Sequence, residues 1–198
     1  MRDLVVALTD GVRVAVSFAA GEADPTVVLA DADAATALAR VVAGLAPPVS
    51  GEVWMEGRDV TALPPGSRQI GYVPRGGALL PHLTVRENME YLSSRREAVR
   101  GVTRDAFATL IYQLELGPVL DHRPHEITAQ QRMRGALARA MMSIPEAVIL
   151  ERPDPAVCGP LDDLLVRIES RGGLVPAMAV FADRQAPPEG ARTVVEAS

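Results

Sequence analysis

Short apolar runs alternate with segments of helical periodicity along most of the chain, and this alternation predicts an α/β architecture. Leu4–Leu8 and Val12–Phe18 read as two strands joined at Asp10-Gly11, and Thr26–Ala30 reads as a buried strand. Ala34–Leu45 carries apolar residues at helical spacing and stops before Pro47-Pro48, which predicts a helix; Asp33 is the expected N-cap. Glu52–Glu56 with Gly57-Arg58-Asp59 reads as a strand and turn, and Gln69–Val73 as a further strand.

The middle of the chain changes character. Helices are expected near Val85–Leu92, Arg104–Leu116 and Gln130–Met142, with turns at Gly117-Pro118 and Arg123-Pro124. A buried strand at Ala147–Leu150, a helix near Leu161–Ser170, and strands at Ala177–Phe181 and Thr193–Val195 follow. The expected organisation is a single domain over 1–198: an α/β core from 1–80 and 144–198, with a helical lobe inserted over 81–143. There is no internal repeat and no low-complexity linker.

Composition narrows the chemistry. The chain has 198 residues, and all 20 of its basic residues are arginine. Without lysine there is no Schiff-base or pyridoxal-phosphate chemistry, and no phosphate loop that relies on its own lysine. A formal net charge of −5 leaves no basic stripe for nucleic acid. The lone Cys158 excludes an intrachain disulfide and a cysteine metal cluster, and fits a reducing compartment. His82, His122 and His125 fall in loops at no metal-binding spacing, so no metal site is expected. No leader pattern is visible and no stretch approaches the roughly 20 apolar residues of a membrane span. A soluble, cytoplasmic chain without direct membrane insertion is expected.

Three stretches in register resemble the ATP-binding cassette of ABC transporters. Val41–Leu45, Ser50-Gly51-Glu52-Val53 and Gly57-Arg58-Asp59-Val60 resemble the segment after the family's phosphate loop. Ile70–Pro74 and Ala78–Asn88 resemble the surroundings of the glutamine loop in importer cassettes of the molybdate, sugar and polyamine type. Arg123-Pro124-His125-Glu126 and Ala136–Ala140 resemble the flanks of the signature motif. The resemblance runs from about Val27 to Asp183 and implies a P-loop NTPase-like core, an antiparallel β-subdomain and an inserted helical lobe.

The positions at which that family does its chemistry are altered. In GxxxxGK[ST], glycines let backbone N–H groups close round phosphate oxygens and a lysine neutralises them. The corresponding segment is Leu29–Thr36, with Ala34 at the second glycine and Ala35 at the lysine; only Thr36, the magnesium-side hydroxyl, matches. Asp31 and Asp33 add negative charge where a polyphosphate would lie, each like-charge contact costing about 1–4 kcal/mol. Arg75 replaces the glutamine. Thr128 and Gln131 are tolerable in the signature, but Ala129 and Gln130 replace its glycines. Glu151 stands for the magnesium-linked aspartate, Arg152 for the general-base glutamate and Ala182 for the switch histidine. A guanidinium accepts no proton at any relevant pH. No aromatic in the first strand pair is placed to stack an adenine, and Phe18 is expected in the core.

No catalytic residue and no cofactor is therefore expected, although the family binds Mg-ATP. Leu79, Leu80, Pro81, His82 and Leu83 lie where the resemblance places the groove for a permease, and they could equally plug the joint between lobe and core. The expectation is a non-catalytic cassette subunit of an import system, docked on a permease at the inner face of the membrane, paired with a second cassette, or both. The alternative is a regulatory or scaffold protein reusing the fold. A third reading is a weak ATPase with an atypical loop, in which Arg75 and Arg152 supply charge.

Overall fold

The computed structural model describes residues 1–19, 26–91, 104–158, 177–185 and 193–197. Arg2–Ala7 (β1) and Arg13–Val16 (β2) form an antiparallel pair with Leu4 opposite Val16. Thr26–Ala30 (β3) runs into a helix, Ala32–Val42 (α1), after which Ser50–Glu52 (β4) returns beside β1. Trp54–Met55 (β5) and Arg58–Asp59 (β6) make a small hairpin, and Ile70–Val73 (β7) follows. Three helices come next: Val85–Glu90 (α2), Arg104–Gln113 (α3) and Ala129–Met141 (α4). Ala147–Glu151 (β8), a short helix Pro155–Cys158 (α5), Ala177–Asp183 (β9) and Thr193–Glu196 (β10) complete the described elements.

Five strands form a parallel sheet in the order β10-β3-β9-β8-β7. Strands covered on both faces need apolar residues throughout, and Thr26–Ala30 and Ala147–Glu151 have them almost without interruption. Alternation sorts the side chains. Val28, Ala30, Ile149 and Phe181 share one cluster with Ala35, Leu38 and Ala39 of α1. Val27, Val148, Leu150 and Val180 share the other with Met133, Ala136 and Leu137 of α4. The antiparallel sheet β2-β1-β4 closes over the far side of α1 through Leu4 and Val6. Phe18 is buried there and meets Phe181 edge-on, with ring centroids 5.9 Å apart.

The elements depart from the expected ones in three places. α1 begins at Ala32, because Asp31 takes the N-cap position and Asp33 falls in the first turn; neither carboxylate caps the helix. Glu52–Glu56 is not one strand: Val53 N–H donates to Thr61 Oγ1 at 2.8 Å, and the chain reverses at Glu56-Gly57, with φ of 44° and 78°. α1 stops at Val42, short of Leu45, because Gly44 turns left-handed at φ 80°: the Leu45 amide donates back to the Arg40 carbonyl at 2.8 Å and the Gly44 amide to the Val41 carbonyl at 3.0 Å. The helix expected near Leu161–Ser170 lies outside the described residues.

Arg68 is 3% exposed and donates to the carbonyls of Val41, Val42, Thr61 and Leu63 at 2.6–2.9 Å. It closes the C-terminus of α1, whose carbonyls carry the negative end of the helix dipole. Burial lowers its pKa. Gly44, at φ +80°, leaves it room: a Cβ there would lie 2.6 Å from Arg68 Nε.

Candidate functional site

Ligands of open parallel sheets seat outside the carboxyl ends of the strands, so the junction of β3 with α1 comes first. It consists of one residue, Asp31. Leu29 and Ala30 are still in the strand, Ala32 is already helical, and the Ala35 amide donates to the Asp31 carbonyl at 2.8 Å. No residue from Thr26 to Val42 has a positive φ, so the backbone does not form the concave nest that surrounds a phosphate. Ala34 and Ala35 are buried, Ala35 at 0% exposure, within the core beneath the antiparallel sheet. Thr36 is half-buried and lines a cavity of about 390 Å³ with Val6, Leu8, Asp33 and Arg40.

At the other strand ends, side chains tie to one another. The Tyr72 hydroxyl of β7 donates to Glu151 Oε2 of β8, and burial followed by this hydrogen bond raises the Tyr72 pKa. Arg152 directly follows β8 with φ +43°, an unusual conformation for a side-chain-bearing residue. Its amide donates to the Phe181 carbonyl at 2.7 Å, and its Nη2 reaches Asp183 Oδ2 at 3.3 Å. The Arg152 and Asp183 side chains are 19% and 25% exposed. Ala182 is buried on the α4 side of β9, opposite Leu29 of β3.

The loop after β7 faces the helices. Arg75 is exposed and makes no hydrogen bond or ion pair among the described residues. Arg139 of α4 donates to the Ala78 carbonyl at 3.0 Å, and burial lowers its pKa. Leu79 is buried over Gly135 and Val85, so it fills the joint. Leu80 and Leu83 are half-buried, while Pro81 and His82 are exposed. Leu80 lines a groove of about 310 Å³ with Tyr72, Tyr91, Arg139 and Ser143. Asn88, fully buried, hydrogen-bonds Leu80 through both ends of its amide and also donates to the carbonyls of Leu83 and Thr84.

Thr128 and Gln131 engage each other at the start of α4. Thr128 Oγ1 accepts from the Gln131 amide at 3.2 Å, and Gln131 Oε1 accepts from the Thr128 amide at 2.9 Å, a complete capping box. Ala129 and Gln130 are exposed beside it, as are His122 and His125. Cys158 ends α5. The structure thus places Glu151, Arg152 and Ala182 at the carboxyl edge of one sheet and Thr36 on α1 beside the antiparallel sheet, while Thr128, Gln131 and Leu79–Leu83 belong to the helical elements.

Sequence reading missed Tyr72, Asn88, Asp183 and Arg184 as contributors. Asp183 directly follows Ala182 in the segment likened to the switch loop, and a carboxylate there beside an arginine at 152 is the pattern that could have found the pair.

The family model described as ABC transporter matches residues 35–154. The chain is 36% identical over 118 residues to the spermidine/putrescine import ATP-binding protein PotA of Thermobifida fusca, covering 60% of this chain and 31% of that protein. It is 39% identical over 116 residues to the sn-glycerol-3-phosphate import ATP-binding protein UgpC of Cereibacter sphaeroides, covering 59% and 33%. It is 38% identical over 117 residues to the molybdate/tungstate import ATP-binding protein WtpC of Archaeoglobus fulgidus, covering 59% and 48%. The chain spans a third to a half of the length of these relatives. The fold is similar to that of the ATP-binding cassette MJ0796, in a dimeric post-hydrolysis state bound to ADP and Pi, with a TM-score of 0.67 at 20% identity over 90% of this chain and 85% of that one.

Proposed function

Because the chain belongs to the ATP-binding cassettes of ABC transporters, we propose that it serves as a non-catalytic cassette subunit of an import system, docking on a permease without turning over ATP. The observation that carries the reading is the junction of β3 with α1. One residue, Asp31, stands where a phosphate-binding loop would need several, and Ala35 is sealed in the core where a lysine would have to reach a phosphate. Residues 29–36 do not fit a magnesium nucleotide. They offer no cradle and no cation, and Asp31 and Asp33 bring two negative charges to its place. At the general-base position Arg152 is paired with Asp183, and a guanidinium accepts no proton.

Docking needs only surface, and surface is present. The groove beside Leu80 has apolar walls, with Tyr72, Tyr91 and Arg139 supplying polar groups at its edge. Among the described residues no helix is long and apolar enough to cross a membrane, so membrane contact would be made through such a partner. The matched relatives are named as import ATP-binding proteins, and a second cassette is a plausible companion for the same reason. Steady-state phosphate release by the purified chain, with co-purification from detergent-solubilised native membranes, tests the reading. It predicts no hydrolysis above a no-enzyme blank and recovery of a polytopic permease or a second cassette. Hydrolysis, or recovery of neither a permease nor a second cassette, contradicts it.

A further inference from the structure

The carboxyl edge of the parallel sheet carries side-chain contacts that, with the last rungs of the ladder, touch all five strands. Tyr72 on β7 donates to Glu151 on β8. Arg152, the next residue, donates its amide to the Phe181 carbonyl at 2.7 Å and its Nη2 to Asp183 Oδ2 at 3.3 Å, both on β9. Arg184, just past β9, donates its amide to the Ala30 carbonyl at the end of β3, at 2.9 Å. Its Nη2 continues to the Ala197 carbonyl beyond β10, at 3.0 Å. Asp183 Oδ1 also accepts the Gln185 amide at 3.0 Å, so one carboxylate holds both Arg152 and Gln185.

We propose that this belt is a built-in lock, which fixes the strand ends and the two residues that follow β9, Arg184 and Gln185, in one arrangement without any nucleotide. The proposal rests on the reading that the chain does not use ATP, and deepens it by saying what takes over the bridging of this edge. The charges are matched, with the Arg152 guanidinium following Glu151 and meeting Asp183. The partners are far apart in sequence, 79 residues for Tyr72 with Glu151 and 31 for Arg152 with Asp183, and the links add side-chain contacts to strands the ladder already pairs. An isolated exposed ion pair contributes little. Here the Arg152 and Asp183 side chains are largely buried, and the buried Arg152 Nε has no partner of its own, so the Nη2 bond to Asp183 is the guanidinium's one hydrogen bond among the described residues. The positive φ of Arg152 fits the same account, since a strained backbone persists only where its surroundings over-determine it.

The lock also reaches the docking groove. Tyr72 lines that groove with Leu80 and Tyr91 while its hydroxyl is held by Glu151, so the wall of the groove is fixed by the same edge. A partner would therefore meet one constant surface.

Amide hydrogen exchange of the full chain, with and without Mg-ATP, tests this. In wild type, the amides of Glu151 and Arg152 and those at 182–185 should be protected without nucleotide. Arg152→Gln should speed exchange at 182–185, the Arg184 amide included, by about tenfold or more. The swap Arg152→Asp with Asp183→Arg should return it to within about twofold of wild type. Tyr72→Phe should loosen Leu80 and Tyr91 instead. If Arg152→Gln does not fold, Asp183→Asn gives the same readout. Unchanged exchange at 182–185 in either variant overturns the lock. Slowed exchange on adding Mg-ATP to wild type would sink the non-nucleotide reading, whereas the lock itself stands or falls on the variants alone.

Discussion

Asn88 Oδ1 accepts the Leu80 amide at 2.8 Å while its Nδ2 donates to the Leu80 carbonyl at 3.1 Å, so one buried amide side chain satisfies both backbone groups of a residue in the preceding loop. Two further bonds, to the carbonyls of Leu83 and Thr84, extend the hold across the segment that borders the groove. Asn88→Ala removes all four and leaves part-buried backbone groups unpaired. A loss of about 2–3 kcal/mol is expected, read as a shift of the urea midpoint at constant m-value, with faster exchange of the Leu80 amide.

Arg68 performs the corresponding service for α1. Arg68→Met keeps most of the apolar stem but strips donors from four carbonyls, two of them at the end of a helix. Destabilisation of about 3 kcal/mol or more is expected. Gly44→Ala should weaken the same joint from the other side, because the added Cβ meets Arg68 Nε and the backbone must keep φ at +80°. The two losses should be less than additive in a double-mutant cycle, since both act on one contact.

The acidic limb of stability should include the capping box of α2. The Thr84 amide and hydroxyl hydrogen-bond Glu87 and hold its carboxyl below its ordinary range. Glu126 is lowered in the same way by the Arg123 amide. A carboxyl with a depressed folded-state pKa binds protons more readily in the unfolded chain, so stability rises with pH through this window. The contribution is complete above the unfolded pKa and is lost as pH falls through the folded values. Carboxyl titration by NMR should place Glu87 and Glu126 below free glutamate, and Glu87→Gln should flatten the acid limb of a melting-temperature profile. An unchanged limb in that variant would count against the assignment.

Putting back the family residues should not restore nucleotide chemistry. Ala35 has no exposure and packs against α1's own core neighbours, so Ala35→Lys forces an ammonium into apolar surroundings. Ala34→Gly with Ala35→Lys should lower the melting temperature, and ATP should not raise it again. A nucleotide-dependent stabilisation of that variant would mean the loop can re-form, contrary to the one-residue junction.

Much of the architecture was legible because burial writes itself into composition. Thr26–Ala30 and Ala147–Leu150 are continuous apolar runs, and α4 shows helical spacing. The breaks were harder. Asp31 and Asp33 are equally good N-cap types, and even with β3 read correctly to Ala30 the sequence does not say that the helix starts after one residue rather than three. The interruption at Val53 depends on Thr61, eight residues on. Arg68 was invisible as a structural residue, because an arginine between turn residues reads as solvated until its carbonyl partners, up to 27 residues away, are known. At the edge of the sheet the residues themselves, Glu151, Arg152 and Ala182, were readable. What they bond to was not, since Tyr72, Glu151, Arg152 and Asp183 are brought together by strand order alone.

Calorimetric titration of Mg-ATP into the purified chain measures the central claim most directly. With Asp31 as the whole junction between β3 and α1 and no cation at position 35, the expected result is no binding heat beyond dilution up to millimolar nucleotide. Saturable binding at micromolar concentration, at one site per chain, would contradict it.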